Sequence, residues 1–464
     1  MSDPRPAPLV VAPFQLDSLR AQAGPETSTG VVAAEYSVFD GSGPNEKRRG
    51  AHSRARRPRR HHRARRLLVA ALVLLILAGA AGAFVDVRLR RPDPLPVLRS
   101  EPLPSVNLAA QPIASALPWP ASGQGAVAIP ALGVVLASET QDAVPVASLT
   151  KLMTAYIILR DHPLAVGSPG PSITVTEADV ADYGEDIVSD DSSVAVKLGE
   201  VLTERQVMGG LLVHSSDNFA DLLATWDAGS VPAFVAKMNA TALSLGMDHS
   251  HFADPSGISP QSESTAYDIA KLAVLDMQDP NVRAIVKMPD ITLPVAGTVG
   301  TYTPLLGLDG IVGVKSGFTD AAGGGDVVAV VRPIDGVPVT LLAAVTSQQG
   351  PGVLATAALH GLALVNALSK FVGRTTVLQK GQLVARITSD GRTVTATASS
   401  SVSMLTWPGT TATSVFHPIG HLTDKARRGA RIGTIVVTLG GQQVLVPVRL
   451  TQNVPRETLL QRIF

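Results

Sequence analysis

The stretch PVASLTKLMT at residues 145–154 decides the fold of this chain, because it places a serine and a lysine three positions apart at the start of an amphipathic helix. Residues at helical spacing predict one buried stripe, formed by Leu149, Leu152, Met153, Tyr156 and Ile157. Ser148 and Lys151 lie away from that stripe and face outward as neighbours at the helix start. A serine hydroxyl becomes a nucleophile when a nearby base takes its proton, and a lysine amine can do this if it is kept uncharged.

A second motif, Ser216-Asp217-Asn218, reads as a polar loop before a further helix. Ser216 can relay a proton, and Asn218 can bind a substrate amide. Asp217 reads more readily as the cap of the next helix than as a catalytic group. Ser215, one residue upstream, is a competing choice for the loop serine.

A third motif, Lys315-Ser316-Gly317, follows an apolar run that reads as a strand. Lys315 offers a fixed cation to a substrate carboxylate, and Ser316 offers a hydroxyl to the same group. Gly317 allows a substrate backbone to approach the strand edge closely. Lys315 is also the candidate for the second cation that keeps Lys151 uncharged. Each motif alone is common, but the three in this order indicate a serine acyl-transfer site in which lysine handles the proton.

The N-terminal part of the chain is basic and then apolar. Eleven Lys or Arg residues and no acidic residue lie between Lys47 and Arg66, and the next nineteen residues, 67–85, carry no charge. Such a run is long enough to cross a bilayer, and the basic side is predicted to stay in the cytoplasm. We therefore expect a disordered basic cytoplasmic arm at 1–66, a transmembrane helix at 67–85, and an extracellular remainder. The alternative is a secreted protein whose signal peptide is cleaved near residues 81–83.

The remaining chain divides by composition. Residues 86–120 are rich in proline and predict a stalk without packed elements. Residues 121–371 alternate helical and strand patterns, typical of an α+β domain with helices around an antiparallel sheet. Residues 372–464 carry short alternating runs of Thr and Val, which predict a small all-β domain. The chain has no cysteine, so it contains no disulfides and no thiol chemistry.

At this point the chain resembles the penicillin-recognising serine enzymes, and among them the low-molecular-mass D-alanyl-D-alanine carboxypeptidases. The resemblance covers about residue 125 to the C-terminus and includes strings particular to that family: LSLGM at 243–247, HFADPSG at 251–257 and Asp309-Gly310. It implies a penicillin-binding/β-lactamase-like catalytic domain followed by a small β-rich domain.

The resemblance also implies roles for the motif residues. Ser148 would be the nucleophile and Lys151 its base, with Ser216 and Asn218 passing a proton and holding the peptide. Lys315 and Ser316 would bind the terminal carboxylate beside Gly317. Backbone N–H groups of Ser148 and Phe318 would form the oxyanion hole. The enzyme would remove the last D-alanine of a peptidoglycan stem peptide through an acyl-enzyme, and β-lactams would acylate the same serine.

Departures from the family pattern leave alternatives open. The third motif has serine where threonine is usual, and the loop trio is a form more familiar from β-lactamases. A β-lactamase would need a further carboxylate to hydrolyse its acyl-enzyme quickly. A non-catalytic cell-wall-binding protein on the same fold is the other alternative. No metal is expected, because His249 and His251 lie two apart without a second cluster. No cofactor is expected either, and the apolar span directly after the basic run favours a membrane anchor over nucleic-acid binding.

Overall fold

Residues 61–90, 95–420, 422–423, 425–456, 458 and 463 are described by the computed structural model. The predicted cytoplasmic arm therefore lies outside the described residues, except for its last six positions. The first helix, α1 (His61–Leu89), begins six residues before the predicted apolar span, because the preceding Arg and His residues continue the helix although they end the apolar run. Its stretch Arg65–Leu89 is long and apolar enough to cross a membrane, and none of it is buried against the rest of the chain.

The catalytic-type domain contains two layers of helices against one antiparallel sheet. Its helices, after the short α2 (Ile113–Ala116), are α3 (Lys151–Asp161), α4 (Glu177–Ser189), α5 (Glu204–Val213), α6 (Asp217–Ala228), α7 (Val231–Ser244), α8 (Ala266–Asp276), α9 (Pro280–Ile285) and α10 (Val353–Ser369). Its central sheet has five strands in the spatial order β11 (Ile311–Thr319), β12 (Gly323–Ile334), β13 (Val337–Gln348), β3 (Gln124–Ile129) and β4 (Val134–Ala137).

Alternation along β3 shows how the sheet separates two cores. Ala126 and Ala128 pack with the residues of α3 and α8, whereas Val127 and Ile129 pack with those of α10. Small ribbons complete the helical side: β5 (Val144–Pro145) with β8 (Glu263–Ser264), β6 (Ser172–Thr174) with β7 (Val201–Thr203), and β9 (Asp290–Leu293) with β10 (Gly297–Gly300). The α+β class is confirmed, with β11 placed at one edge of the sheet beside the start of α3.

Local sequence signals explain the helix that leads into the site. Thr203 caps α5 by accepting a hydrogen bond from the backbone N–H of Gln206, and the Gln206 side chain accepts one from the backbone of Thr203. The helix ends at Val213, and a short polar loop follows before α6 begins at Asp217. The helix α6 thus starts two residues earlier than predicted, and Asn218 lies inside it.

The C-terminal domain is all-β, and residues from the predicted stalk complete its main sheet. That seven-stranded sheet has the order β1 (Val97–Ser100), β15 (Leu383–Ser389), β16 (Arg392–Ala398), β20 (Gln442–Leu450), β19 (Arg431–Leu439), β18 (Thr411–Pro418) and β2 (Val106–Asn107). A smaller ribbon pairs β14 (Gly373–Leu378) with β17 (Val402–Thr406).

The prediction of an unpacked stalk at 86–120 is therefore wrong for β1 and β2. Strand β1 pairs with β15 at one edge of the sheet, and β2 pairs with β18 at the other. The proline content hid these strands, because each is only two to four residues long and lies between prolines. Edge strands of this kind satisfy backbone groups that the sheet would otherwise leave open.

Candidate active site

The Ser148-Lys151 pair lies at the junction of a tight turn and a helix. Residues 147–150 form a 3₁₀ turn that leads into α3, and the Lys151 amine donates a hydrogen bond to the Ser148 hydroxyl over 2.9 Å. Ala147, just before the serine, has a φ of 48° in the left-handed region, a strained conformation often found at functional sites. The two side chains are neighbours, as their spacing predicts.

Lys151 does not face outward into solvent as the helical spacing suggests. Its side chain is fully buried, because other parts of the chain cover the start of α3. The amine donates to Asp217 Oδ1 over 2.5 Å and to the backbone carbonyl of Ser256 over 2.9 Å. With Ser148, these groups take the three N–H bonds that an ammonium can donate.

Asp217 is consequently a site residue rather than a helix cap. It opens α6, but the residue that flanks the helix is Ser216, and no side-chain cap hydrogen bond forms there. The Asp217 carboxylate pairs with Lys151 inside the protein, with only 5% of its side chain exposed. The sequence interpretation missed this role because a cap and an ion-pair partner use the same residue type at the same helix position.

The loop serine that contacts Lys315 is Ser215, and Ser216, the predicted proton relay, makes no such contact. Ser215 Oγ accepts a hydrogen bond from the Lys315 amine over 2.8 Å. Its φ of 62° turns the backbone into the left-handed region, which directs this side chain toward the lysine. Ser216 is fully buried, and its hydroxyl has no hydrogen-bond partner among the described residues.

Asn218 likewise does not present its amide to the cleft. Its side chain donates to the carbonyl of Val194 over 2.9 Å and accepts from the N–H of Val194 over 3.2 Å. Both ends of the amide are satisfied by one backbone segment, so Asn218 holds the loop before α5 against α6. The amide groups predicted to bind a substrate are thus bonded to Val194 in this structure.

Lys315 approaches the same centre from β11. It is buried, with 1% exposure, and its amine donates to Ser215 Oγ and to the carbonyl of Ser316. Burial, with a smaller contribution from the Lys151 charge, lowers the pKa of Lys315 from its ordinary value to about 7. The Ser316 hydroxyl donates to the carbonyl of Tyr302 over 2.8 Å, which orients it beside the lysine.

Gly317 and Phe318 continue β11 past the nucleophile. A Cβ on Gly317 would lie 2.8 Å from the backbone nitrogen of Ser148, so only glycine allows the strand to pass this closely. Phe318, the next residue, is 50% exposed at the mouth of the site. The strand end and the turn at Ser148 thus lie side by side, the arrangement that an oxyanion hole from these two segments requires.

The string at 251–257 supplies an element that motif chemistry alone does not identify. Asp254 accepts hydrogen bonds from the backbone N–H groups of Ser256 and Ser259, which fixes the loop. Gly257, with a φ of 90°, packs directly on the carbonyl of Ala147. The loop thereby presents the Ser256 carbonyl to Lys151, and the unusual string was the only signal of this in the sequence.

Asp326 is a second buried carboxylate close to the site. It lies on β12, opposite Ser316 in the strand register, and no side chain among the described residues donates a hydrogen bond to its oxygens. Burial raises the pKa of Asp326 well above its usual range, opposed by the nearby Lys315. No group of three or more His, Asp or Glu residues in the described part of the chain could hold a metal ion.

Comparison with known proteins gives consistent family matches. Residues 123–339 match the family described as D-alanyl-D-alanine carboxypeptidase. The D-alanyl-D-alanine endopeptidase of Pseudomonas aeruginosa is 35% identical over 161 residues, which cover 34% of this chain and 49% of the relative. The D-alanyl-D-alanine carboxypeptidase DacB2 of Mycobacterium tuberculosis is 33% identical over 198 residues, covering 41% and 64%. The chain therefore spans about half to somewhat less than two thirds of these relatives.

Solved structures share the fold. A peptidoglycan synthesis regulatory factor (PBP3) from Streptococcus pneumoniae matches with a TM-score of 0.54 and 18% identity, covering 75% of this chain and all (100%) of that one. Penicillin binding protein 6B from Escherichia coli matches with a TM-score of 0.52 and 21% identity, covering 74% and 99%. At these identities the likeness establishes the architecture, and the chemistry depends on the residues described above.

Proposed function

We propose that the protein is a serine D,D-carboxypeptidase acting on peptidoglycan stem peptides, because residues 123–339 match the family described as D-alanyl-D-alanine carboxypeptidase. The observation that carries the proposal is the 2.9 Å hydrogen bond between the Lys151 amine and the Ser148 hydroxyl. Lys315, held by Ser215, provides a second buried amine in the same site. The substrate would be a stem peptide ending in D-Ala-D-Ala.

The ion pair of Lys151 with Asp217 supplies a way to make the base uncharged. The two groups are 2.5 Å apart, so one proton can shift from the amine to the carboxylate without changing the net charge of the site. The uncharged amine then accepts the proton of Ser148 as its oxygen attacks the penultimate D-alanine carbonyl. That proton passes to the leaving amine of the terminal D-alanine, and an acyl-enzyme remains on Ser148.

Substrate binding and deacylation use the remaining groups. The ammonium of Lys315 binds the terminal carboxylate together with the hydroxyl of Ser316, which rotates away from the Tyr302 carbonyl to donate to it. The N–H groups of Ser148 and Phe318 stabilise the developing oxyanion. Water then attacks the acyl carbonyl and gives its proton to Lys151, which passes it to the Ser148 oxygen as the ester bond breaks and the shortened peptide leaves. β-Lactams enter the same pathway as covalent inhibitors, since they acylate the nucleophile.

We further propose that α1 anchors the protein in the cell membrane, with the basic arm in the cytoplasm and the catalytic domain outside. Its length and composition, together with the basic run before it, support this topology. A secreted form cleaved near residues 81–83 is the alternative.

The test is release of D-alanine from a pentapeptide ending in D-Ala-D-Ala by the full-length protein in detergent. We expect release by the wild type, none by Ser148→Ala, and normal release by Ser168→Ala, a control serine outside the site. Cleavage of a cross-linked peptide dimer without D-alanine release would identify an endopeptidase, the activity named for the Pseudomonas aeruginosa relative. Rapid penicillin turnover without either product would identify a β-lactamase, and absence of all three would favour a non-catalytic wall-binding protein.

A further inference from the structure

Basic side chains gather at one end of the seven-stranded sheet of the C-terminal domain. The opposite end is the β19–β20 turn, where Gly440 packs against the carbonyl of Leu132 in the catalytic domain. Exposed cations at the free end include Arg392 in the β15–β16 turn. We call seven others the arginine end: Arg99, Arg386, Lys425, Arg427, Arg428, Arg431 and Arg449.

Two like-charge pairs lie directly across neighbouring strands in this region. Arg99 is opposite Arg386 in the β1–β15 register, and Arg431 is opposite Arg449 in the β19–β20 register. Cationic side chains placed opposite each other destabilise a sheet, and of these four arginines only Arg386 has an acidic partner, Glu101, among the described residues. An anionic partner would remove the repulsion.

Few acidic groups neutralise the arginine end within the described residues. Arg386 pairs with Glu101 over 2.7 Å, and the other six cations make no ion pair there. Arg449 instead donates to the carbonyl of Gly429 over 2.8 Å, which holds the 425–430 turn against the sheet. The cations therefore form one ordered surface that is open to a ligand of opposite charge.

The chain connection places this surface near the apolar helix. Helix α1 ends at Leu89 and β1 begins at Val97, so the seven residues between them can span at most about 29 Å. Val97 is itself 55% exposed and begins the strand that carries Arg99. If α1 spans a bilayer, the arginine end cannot move far from the bilayer surface.

The two domains carry opposite charge. Residues 372–464 contain 11 basic and 3 acidic residues, whereas residues 121–371 contain 11 basic and 26 acidic residues. An anionic surface would attract the first domain and repel the second. The catalytic domain, which contacts the opposite end of the sheet, would then lie on the side away from the membrane.

We propose that the arginine end binds the anionic phospholipid headgroups of the membrane that α1 spans. The proposal rests on the membrane anchorage proposed above and is independent of the acyl-transfer chemistry. The phosphates of the headgroups would lie between the paired arginines and offset their repulsion. This contact makes the C-terminal domain a second membrane attachment that fixes the direction of the catalytic domain.

The experiment uses the full chain in vesicles, and the absence of native cysteine makes site-specific labelling simple. A donor dye on Gln452→Cys, an exposed position just after β20, reports its distance from acceptor dyes on lipid headgroups. Vesicles are either phosphatidylcholine alone or phosphatidylcholine with roughly one third phosphatidylglycerol. We expect stronger energy transfer with phosphatidylglycerol than with phosphatidylcholine alone, and the difference should decrease as salt is raised.

Paired variants separate this contact from general charge effects. Arg431→Gln with Arg449→Gln should lower the membrane-contacting population roughly tenfold or more. The matched control, Arg374→Gln with Lys380→Gln, removes two cations near the smaller β14–β17 ribbon and should leave the transfer unchanged. Fluorescent penicillin labelling of every variant reports the active site separately, so a catalytic failure is distinguishable.

The proposal is overturned if energy transfer does not depend on lipid charge or on the Arg431-Arg449 pair. It is also overturned if soluble polyphosphate binds through that pair while anionic vesicles produce no change, because the partner would then be an anionic polymer of the wall. Loss of near-UV circular dichroism in the arginine variant would require repeating the test with Arg431→Gln alone, whose outcome decides in the same way.

Discussion

The two buried lysines of the site differ in what compensates their charge. Lys151 on the α3 side forms an ion pair with the carboxylate of Asp217, whereas the Lys315 amine on the β11 side donates its hydrogen bonds within the described residues to a hydroxyl and a backbone carbonyl. A carboxylate neighbour allows a proton to move within a neutral pair, whereas neutral oxygens leave a net positive charge when the amine is protonated. The first environment suits proton transfer and the second suits binding of an anion.

Removal of the Lys151 amine, the proposed proton acceptor, should have the largest effect on activity. Lys151→Ala leaves Ser148 without a base, and we expect kcat/KM for D-alanine release to fall by about 10³ or more. Lys151→Arg should fail equally, because a guanidinium does not lose its proton. Activity within tenfold of wild type in either variant would show that another group takes the proton.

Replacement of the Asp217 carboxylate, the partner of Lys151, should have the next largest effect on activity. Asp217→Asn retains a hydrogen-bond acceptor but cannot accept a proton, and we expect kcat to fall about 100-fold with little change in KM. The neighbouring helix residue Asp221→Asn serves as a control for the loss of one acidic group on α6. An unchanged kcat in Asp217→Asn would show that Asp217 takes no part in proton transfer and has a structural role.

Ser215 and Ser216, which are adjacent in the loop before α6, should differ in their effect on activity. Ser215→Ala removes the hydroxyl that holds Lys315, and we expect about a tenfold loss of kcat/KM. Ser216→Ala removes a buried hydroxyl without a partner, so activity should stay within about twofold and stability should not fall. If Ser216→Ala lost more activity than Ser215→Ala, measured on matched proteins, Ser216 would be the functional serine, as predicted from the sequence.

The change of KM with pH should be the smallest of the expected changes. Lys315 is charged below its pKa of about 7 and loses its positive charge as the pH rises through that value. KM for a peptide with a free C-terminal carboxylate should therefore rise several-fold between about pH 6 and pH 8, while a C-terminally amidated peptide shows no such rise. Lys315→Arg should flatten the KM profile, since its charge persists. A flat wild-type profile would mean that the ammonium does not bind the carboxylate.

Much of the fold follows from local pattern. Alternating apolar residues predict β12 and β13 with their turn at Asp335-Gly336, and the Thr203 capping box predicts the start of α5. These elements are determined by contacts close in sequence. Strands β1 and β2 could not be predicted this way, because their partners lie about 290 and 305 residues away and their own patterns are very short.

Prediction of the site from the sequence is limited in the same way, by contacts between residues far apart in the chain. The three-residue spacing of Ser148 and Lys151 fixes their contact through helix geometry. The choice between Ser215 and Ser216 depends on one backbone angle in a loop, and the burial of Lys151 depends on a loop 105 residues away. Sequence spacing identifies which residue types meet, whereas their orientation and charge partners are determined by tertiary contacts.

The most direct measurement is the position of covalent labelling by benzylpenicillin, read by mass spectrometry of peptides from the full-length protein. The acyl-transfer mechanism predicts one penicilloyl group on the peptide that contains Ser148, and none on Lys151→Ala over the same time. Absence of an adduct on the wild type, or an adduct on any other residue, would contradict it.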